Sequence, residues 1–201
     1  MNSSKYLLPG RDSLSKTYYQ NVVSYDLLLK QNYKTVMQLP RLEKIVLNTT
    51  SKIYITDKKY IFFTAAALEL LSGQKPKLTY ARKSIANFKL RESQIIGCQI
   101  VLQKTQMYAF LDKLSKIIFP RIRDYSKRKP VTVSKFTTME TSVVTNKSTQ
   151  TFGFKNVMIF PELENHFELV DNFRGMNLNL IVSNSTQKAS ELLFSGFQLP
   201  L

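Results

Sequence analysis

A chain of 201 residues with 43% hydrophobic content can bury a real core, which argues against a disordered polycation despite a formal net charge of +15. No run of about 18 apolar residues occurs, and the longest, YIFFTAAALELL, is short and contains Glu69, so neither a membrane-spanning helix nor a membrane partner is expected. The single cysteine, Cys98, excludes an intramolecular disulfide and a cysteine-built zinc site.

The charge is unevenly spread. Residues 1–135 hold 25 Lys and Arg against 8 Asp and Glu, whereas residues 136–201 hold 4 against 6. The densest stretch, SGQKPKLTYARKSIANFKLRESQIIGC from Ser72 to Cys98, is opposed only by Glu92, so a polyanion is the natural partner. The opening MNSSKYLLPGRDSLSK lacks the apolar core of a signal peptide and is poor in Arg for a transit peptide; it reads as mature sequence, with 1–13 as an N-terminal extension.

Taken in chain order, residues 13–31 place Leu14, Tyr18, Val22, Tyr25, Leu28 and Leu29 at the spacing of an amphipathic helix. LEKIVLNTT, Leu42 to Thr50, is β-branched and follows Pro40, which predicts a strand ending at Asn48. Thr56 or Asp57 can cap a helix through YIFFTAAALELL that stops at Gly73. KLTYARK and QIIGCQIVLQ predict two strands joined by a long basic hairpin with its tip near Asn87 to Ser93. Thr105 then caps a helix that Pro120 ends, and a second basic cluster follows at Arg121, Arg123, Lys127, Arg128 and Lys129. Ser126 to Thr151, rich in Ser, Thr, Lys and Asn, reads as a surface excursion or irregular strand. Strands at VMIF and LNLIVS and a helix from about Ser185 to Gly196 complete the chain. The fold class expected is α+β: a mainly antiparallel sheet with helices packed on one face and a long basic β-hairpin, within one domain spanning 1–201.

Catalytic readings are thin. His166 lies in ELENHFELVDN between Glu164 and Glu168, where acid-base or metal chemistry can be imagined but a solvated acidic segment is the simpler reading. Cys98 sits in an apolar strand, the setting of a small buried hydrophobe rather than a nucleophile. The six glycines are scattered singly and form no phosphate-cradling loop, and no cofactor is expected. FGFKNVMIF partly matches the aromatic strand of an RNA-recognition motif, with Phe152 and Phe154 as stacking rings, but Lys155 breaks the pattern and core packing is the competing role. Around Gln74, Thr79, Ser84, Asn87 and Phe88 the cations are interleaved with groups able to meet phosphates, sugar hydroxyls and exposed bases, so RNA is the leading partner.

In order and spacing, NYKTVMQLPRLEKIVLNT, SGQKP, ARKSIANFKLR, IIGCQIVL, PRIRDY and IFPEL resemble large-subunit ribosomal protein five in its bacterial and organellar form, from about Tyr18 to the last helix. The resemblance implies a non-enzymatic structural protein that binds 5S rRNA in the central protuberance and approaches P-site tRNA through its hairpin. It further implies contacts to large-subunit rRNA and to neighbouring ribosomal proteins, including a small-subunit bridge protein. Asn48 and Gln74 match the family's 5S positions. The full candidate rRNA set is Asn48, Thr49, Ser72, Gln74, Lys75, Arg82, Lys83, Arg121 and Arg123, and the candidate tRNA-contacting set is Asn87, Lys89 and Arg91. Val101 stands where the family usually has threonine, Gln103 where it has a basic residue, and Glu92 to Ile95 where it has Gly and Pro. The 126–151 segment has no counterpart and reads as a lineage-specific surface segment. The Lys-, Asn-, Tyr- and Phe-rich vocabulary points to a mitochondrial ribosome and hence the mitochondrial matrix, with a bacterial cytoplasm as the alternative.

Overall fold

The computed structural model describes residues 13–122, 147–170, 173, 175–184 and 186–199. The predicted first helix forms as α1 (Leu14–Tyr18) and α2 (Ser24–Lys30), joined by a π-type turn over Tyr19–Val23. Its inward side carries Val23 and Leu27, whereas the predicted apolar positions Leu14, Tyr18, Val22, Tyr25, Leu28 and Leu29 are all exposed. It is tied to the helix at 104–113 by Ser15, whose backbone N–H and hydroxyl both donate to the Asp112 carboxylate, at 3.2 and 2.8 Å.

Five strands form an antiparallel sheet in the order β2-β3-β1-β5-β4: β1 (Arg41–Thr50), β2 (Lys77–Tyr80), β3 (Ile95–Leu102), β4 (Ser148–Phe154) and β5 (Met176–Ser183). Period-2 alternation sends Ile45, Leu47, Cys98, Ile100, Leu102, Leu178, Leu180, Phe152 and Phe154 to one side, where they join a single hydrophobic cluster. Helices cover that side. α4 (Lys59–Ser72) adds Ile61, Ala67, Leu68 and Leu71, and α5 (Lys104–Lys113) adds Met107, Phe110 and Leu111. α9 (Gln187–Gly196) adds Leu193 and Phe194. The architecture is therefore α+β, as the sequence predicts.

Several boundaries differ. A single turn, α3 (Ile53–Thr56), precedes α4, and the residue before α4 is Lys58 rather than Thr56 or Asp57. At the other end Gly73 does stop α4, at φ 69°, where a side chain would be strained, and its N–H donates to Glu69 O at 2.8 Å. Gln103, not Thr105, occupies the cap of α5. Pro120 does not end the helical run: a π-type turn over Leu114–Ile118 resets the hydrogen-bond register, and Pro120 falls in the first turn of α6 (Phe119–Arg121), where its missing N–H costs nothing. Most of the 126–151 segment lies outside the described residues, but its last four residues open β4.

VMIF is not a strand. Phe160 N–H donates to Val157 O and Met158 N–H to the Asn156 side chain, so Val157 and Phe160 are buried in a turn that leads into α7 (Pro161–Glu164). The predicted long hairpin is also shorter than expected. β2 and β3 do pair, but the ladder stops at Tyr80 opposite Ile95, and residues 81–94 form a loop rather than two extended strands. Backbone bonds close the loop at Ala81 with Ser93 and Gln94, and a lone bridge pairs Ile85 with Leu90 near the tip. Among the described residues, no helix is long and apolar enough to cross a membrane.

Candidate nucleic-acid interface

The same alternation that fills the core leaves the other side of the sheet polar. Register alignment carries one transverse row across all five strands: Lys77 opposite Gln99, Gln99 opposite Asn48, Asn48 opposite Asn177, and Asn177 opposite Gly153. Strands lie about 4.8 Å apart, so the row spans roughly 19 Å. A second row runs Val101, Val46, Asn179 and Thr151. Lys77 and Asn177 are exposed, and Asn48, Gln99 and Asn179 are half-buried. Three amides and an ammonium thus share one row, with both donors and acceptors presented outward.

Sequence reasoning found Asn48 but missed Gln99, Asn177 and Asn179, which join it from other stretches of chain. Alternating apolar and amide residues in MNLNL was the available signal for Asn177 and Asn179. Thr49, placed in the candidate set, points the other way: it is 3% exposed and its hydroxyl donates to Gly175 O at 2.8 Å, a bond inside the fold. Val101 is exposed on this face, where it offers an apolar surface and no hydroxyl.

The SGQKP turn lies beside the start of α5. Gln74 donates from its side-chain amide to the Gln106 side chain, and its backbone N–H donates to the Ser72 hydroxyl at 3.1 Å. Ser72 in turn donates to Leu68 O at 2.8 Å, so the hydroxyl holds the turn while Lys75 and Lys77 stay exposed. The loop at 81–94 exposes every residue from Arg82 to Lys89, and also Arg91, with Phe88 and Ile85 outward among the cations. Lys89 holds the left-handed region at φ 55°, closing the Ala86–Phe88 turn. Arg121 is committed within the protein, to Glu164 at 2.6 Å and to Ile159 O. Arg123 lies outside the described residues.

The two rival chemistries do not fit this arrangement. Phe152 and Phe154 are 8% and 6% exposed and pack with Phe119 at 5.3 and 6.3 Å between ring centroids, so neither is available to stack on a base. His166 is exposed, and Glu164 beside it already carries Arg121. Burial pushes the Cys98 thiol up to about 11, the opposite of an activated nucleophile.

An amide-lined sheet face beside a basic loop with an exposed Phe88 is chemically suited to RNA. The family model for "Ribosomal protein L5" matches residues 35–91, and the model for the C-terminus of the same ribosomal family matches residues 95–201. The chain is 37% identical to the large ribosomal subunit protein uL5m of Prototheca wickerhamii, over 99% of this chain and 88% of that one. It is 37% identical to uL5 of Magnetococcus marinus, covering 93% and 94%, and 33% identical to uL5m of Reclinomonas americana, covering 92% and 96%. The chain belongs to the ribosomal protein L5 family, whose members are structural proteins of the large ribosomal subunit, not enzymes.

Proposed function

We propose that this protein fixes 5S rRNA in the large subunit through the open face of its sheet and reaches P-site tRNA with the 81–94 loop. The row Lys77, Gln99, Asn48 and Asn177 carries the reading. Neutral amides donate and accept at once, which suits ribose hydroxyls and the edges of unpaired bases, whereas flanking cations at Lys75 and Lys77 meet phosphates and set position. Gln74, locked against Gln106, brings one more amide to the edge of that face. Ser72 and Thr49 serve as supports for the turn and for β1 rather than as direct ligands.

Asn87, Lys89 and Arg91 form the tRNA-facing set, with Arg82 and Lys83 at the root of the loop toward rRNA. Cations in a loop pinned at its base give contact to a backbone that any tRNA presents, independent of sequence. Neighbouring ribosomal proteins, including a bridge protein of the small subunit, and large-subunit rRNA complete the partner set. The mitochondrial matrix is the proposed location, supported by the uL5m relatives and the Lys- and Asn-rich vocabulary.

The direct test is binding of the full chain to a 5S rRNA transcript, comparing wild type with N48A/N177A. Weakened binding with an unchanged melting temperature is expected, because neither side chain is in the core; unchanged affinity overturns the sheet-face reading. Charge reversal at Lys89 and Arg91 is expected to lower P-site tRNA occupancy on assembled ribosomes while 5S incorporation persists. Loss of 5S rRNA instead would assign the loop to the rRNA interface.

A further inference from the structure

The helical layer carries a second surface, on the far side of the molecule from the amide rows. α4 turns Ile61, Thr64, Leu68 and Leu71 inward, and at 3.6 residues per turn the opposite face is left to Phe62, Phe63, Ala66 and Leu70. Phe62 is 69% exposed, and Phe63 and Leu70 are each 42% exposed. Because α4 packs on the core side of β3, this apolar face points away from the open side of the sheet. Isolated exposed hydrophobes need no explanation, but two adjacent phenylalanines and a leucine two turns along one helix make a contiguous stripe.

The charge beside the C-terminal part of the stripe points to a cationic occupant. α7 and α8 (Phe167–Val170) pack against α4 and expose Glu164 and Glu168, and Glu69 is exposed next to Leu70. Glu162 is engaged by Lys113 at 2.7 Å and Glu164 by Arg121 at 2.6 Å, which among the described residues leaves Glu69 and Glu168 as the outward carboxylates of this rim. Lys58 and Lys59 lie only at the helix N-terminal end. In a chain of net charge +15, the C-terminal part of this apolar face is thus bordered by carboxylates, which attract a cationic protein segment, while Lys58 and Lys59 flank its start.

We propose that the outer face of α4 docks a helix of a neighbouring protein, apolar at i, i+3/i+4 spacing and flanked by Lys or Arg, through Phe62, Phe63, Ala66 and Leu70 with Glu69 and Glu168 as its charge guides. One layer of the molecule then faces RNA and the other faces protein. The ribosomal reading enters only through the particle in which the partner is sought.

The experiment places a photocrosslinker in the full chain by Phe62→p-benzoylphenylalanine, with Asn177→p-benzoylphenylalanine as a second arm, and irradiates salt-washed large subunits that contain each variant. The exposed position keeps the fold intact. The expected Phe62 product is a protein peptide with apolar residues at helical spacing and more Lys and Arg than Asp and Glu. Adding E69K/E168K is expected to reduce its yield roughly threefold, the scale of two exposed ion pairs. A Phe62 crosslink to rRNA, to a second copy of this chain or to an acidic peptide overturns the proposal. So does no crosslink in particles where Asn177 crosslinks to RNA. A Phe62 product with the expected peptide but no RNA at Asn177 supports the docking face and counts against the sheet-face reading alone.

Discussion

Gly97 is where the sheet is least tolerant of added volume. A Cβ built there would lie 2.2 Å from Thr49 O and 2.8 Å from the Thr50 methyl carbon. The first clash is with backbone of the central strand, which cannot rotate away, so β1 and β3 must separate along the ladder that pairs Thr50 with Gly97 and Thr49 with Cys98. Overpacking a tight site costs about 1–3 kcal/mol, and the backbone partner places Gly97→Ala near the upper end, about 3 kcal/mol. For a chain of this size each kcal/mol moves the melting temperature by about 2–4 °C, so a fall of roughly 6–12 °C is expected. Gly153 is the matched control: its added Cβ meets only Asn177 Oδ1, at 3.6 Å, an ordinary contact. Gly153→Ala, which also stiffens the unfolded chain, is expected to leave stability unchanged or raise it by about 0.4–1 kcal/mol. Circular dichroism melts of the two variants side by side decide the matter. Equal melting temperatures would refute the argument that the β1–β3 spacing is fixed by the missing side chain. Because Gln99 and Asn48 are neighbours on the same ladder, Gly97→Ala should also weaken 5S rRNA binding, whereas Gly153→Ala should not.

Three further outcomes are expected. Affinity for a 5S rRNA transcript should fall with salt along a log-log slope of about −0.7 to −0.9 per neutralised phosphate; a flat response from low to moderate salt would show that cations contribute little. N48A/Q99A should lose about 1–3 kcal/mol of binding, from two hydrogen bonds at about 0.5–1.5 kcal/mol each, read as a five- to roughly hundredfold rise in Kd; filter binding with an unchanged value would remove these amides from the interface. Stability should be full below about pH 9 and decline as pH rises toward 11, because burial raises the Cys98 thiol from 9.0 to about 11 and also raises Tyr54, so the unfolded chain releases these protons first. A melting temperature constant up to about pH 10.5, or an identical decline in Cys98→Val, would contradict that assignment.

Elements with a strong local signal were legible in the sequence. The apolar period of α4 and the glycine that ends it agree with the structure because propensity, pattern and cap all point one way. β4 was hidden because STQTFGF is mostly polar and small on its outward positions, while the neighbouring VMIF looks strand-like although its burial comes from a turn whose Phe160 packs against Phe154. Pro120 misled because a π-type turn two residues earlier changes which N–H groups the helix requires. At the candidate interface, Asn48 was reachable from one segment, but Gln99 and Asn177 join it only through strand register, a long-range property. The basic loop was legible as charge and illegible as shape, since its backbone leaves the ladder after Tyr80 and turns at Ala86–Phe88 with only a lone bridge between Ile85 and Leu90.

The strand order also sets a timetable for synthesis. β1 lies at the centre of the sheet, yet one of its partners, β3, is complete at Leu102 and the other, β5, only at Ser183. At about 5–20 residues per second, the ribosome needs roughly 4–16 s to produce the intervening segment. Throughout that interval a nascent intermediate of α4, β1, β2 and β3 presents the unpaired edge of β1, rich in Ile45, Val46 and Leu47, as a template for foreign strands. Asn177 arrives on β5, so the amide row is complete only once that strand has emerged and docked. On the proposed reading, RNA capture through that row therefore follows the docking of β5, and the open edge of β1 needs shielding until then.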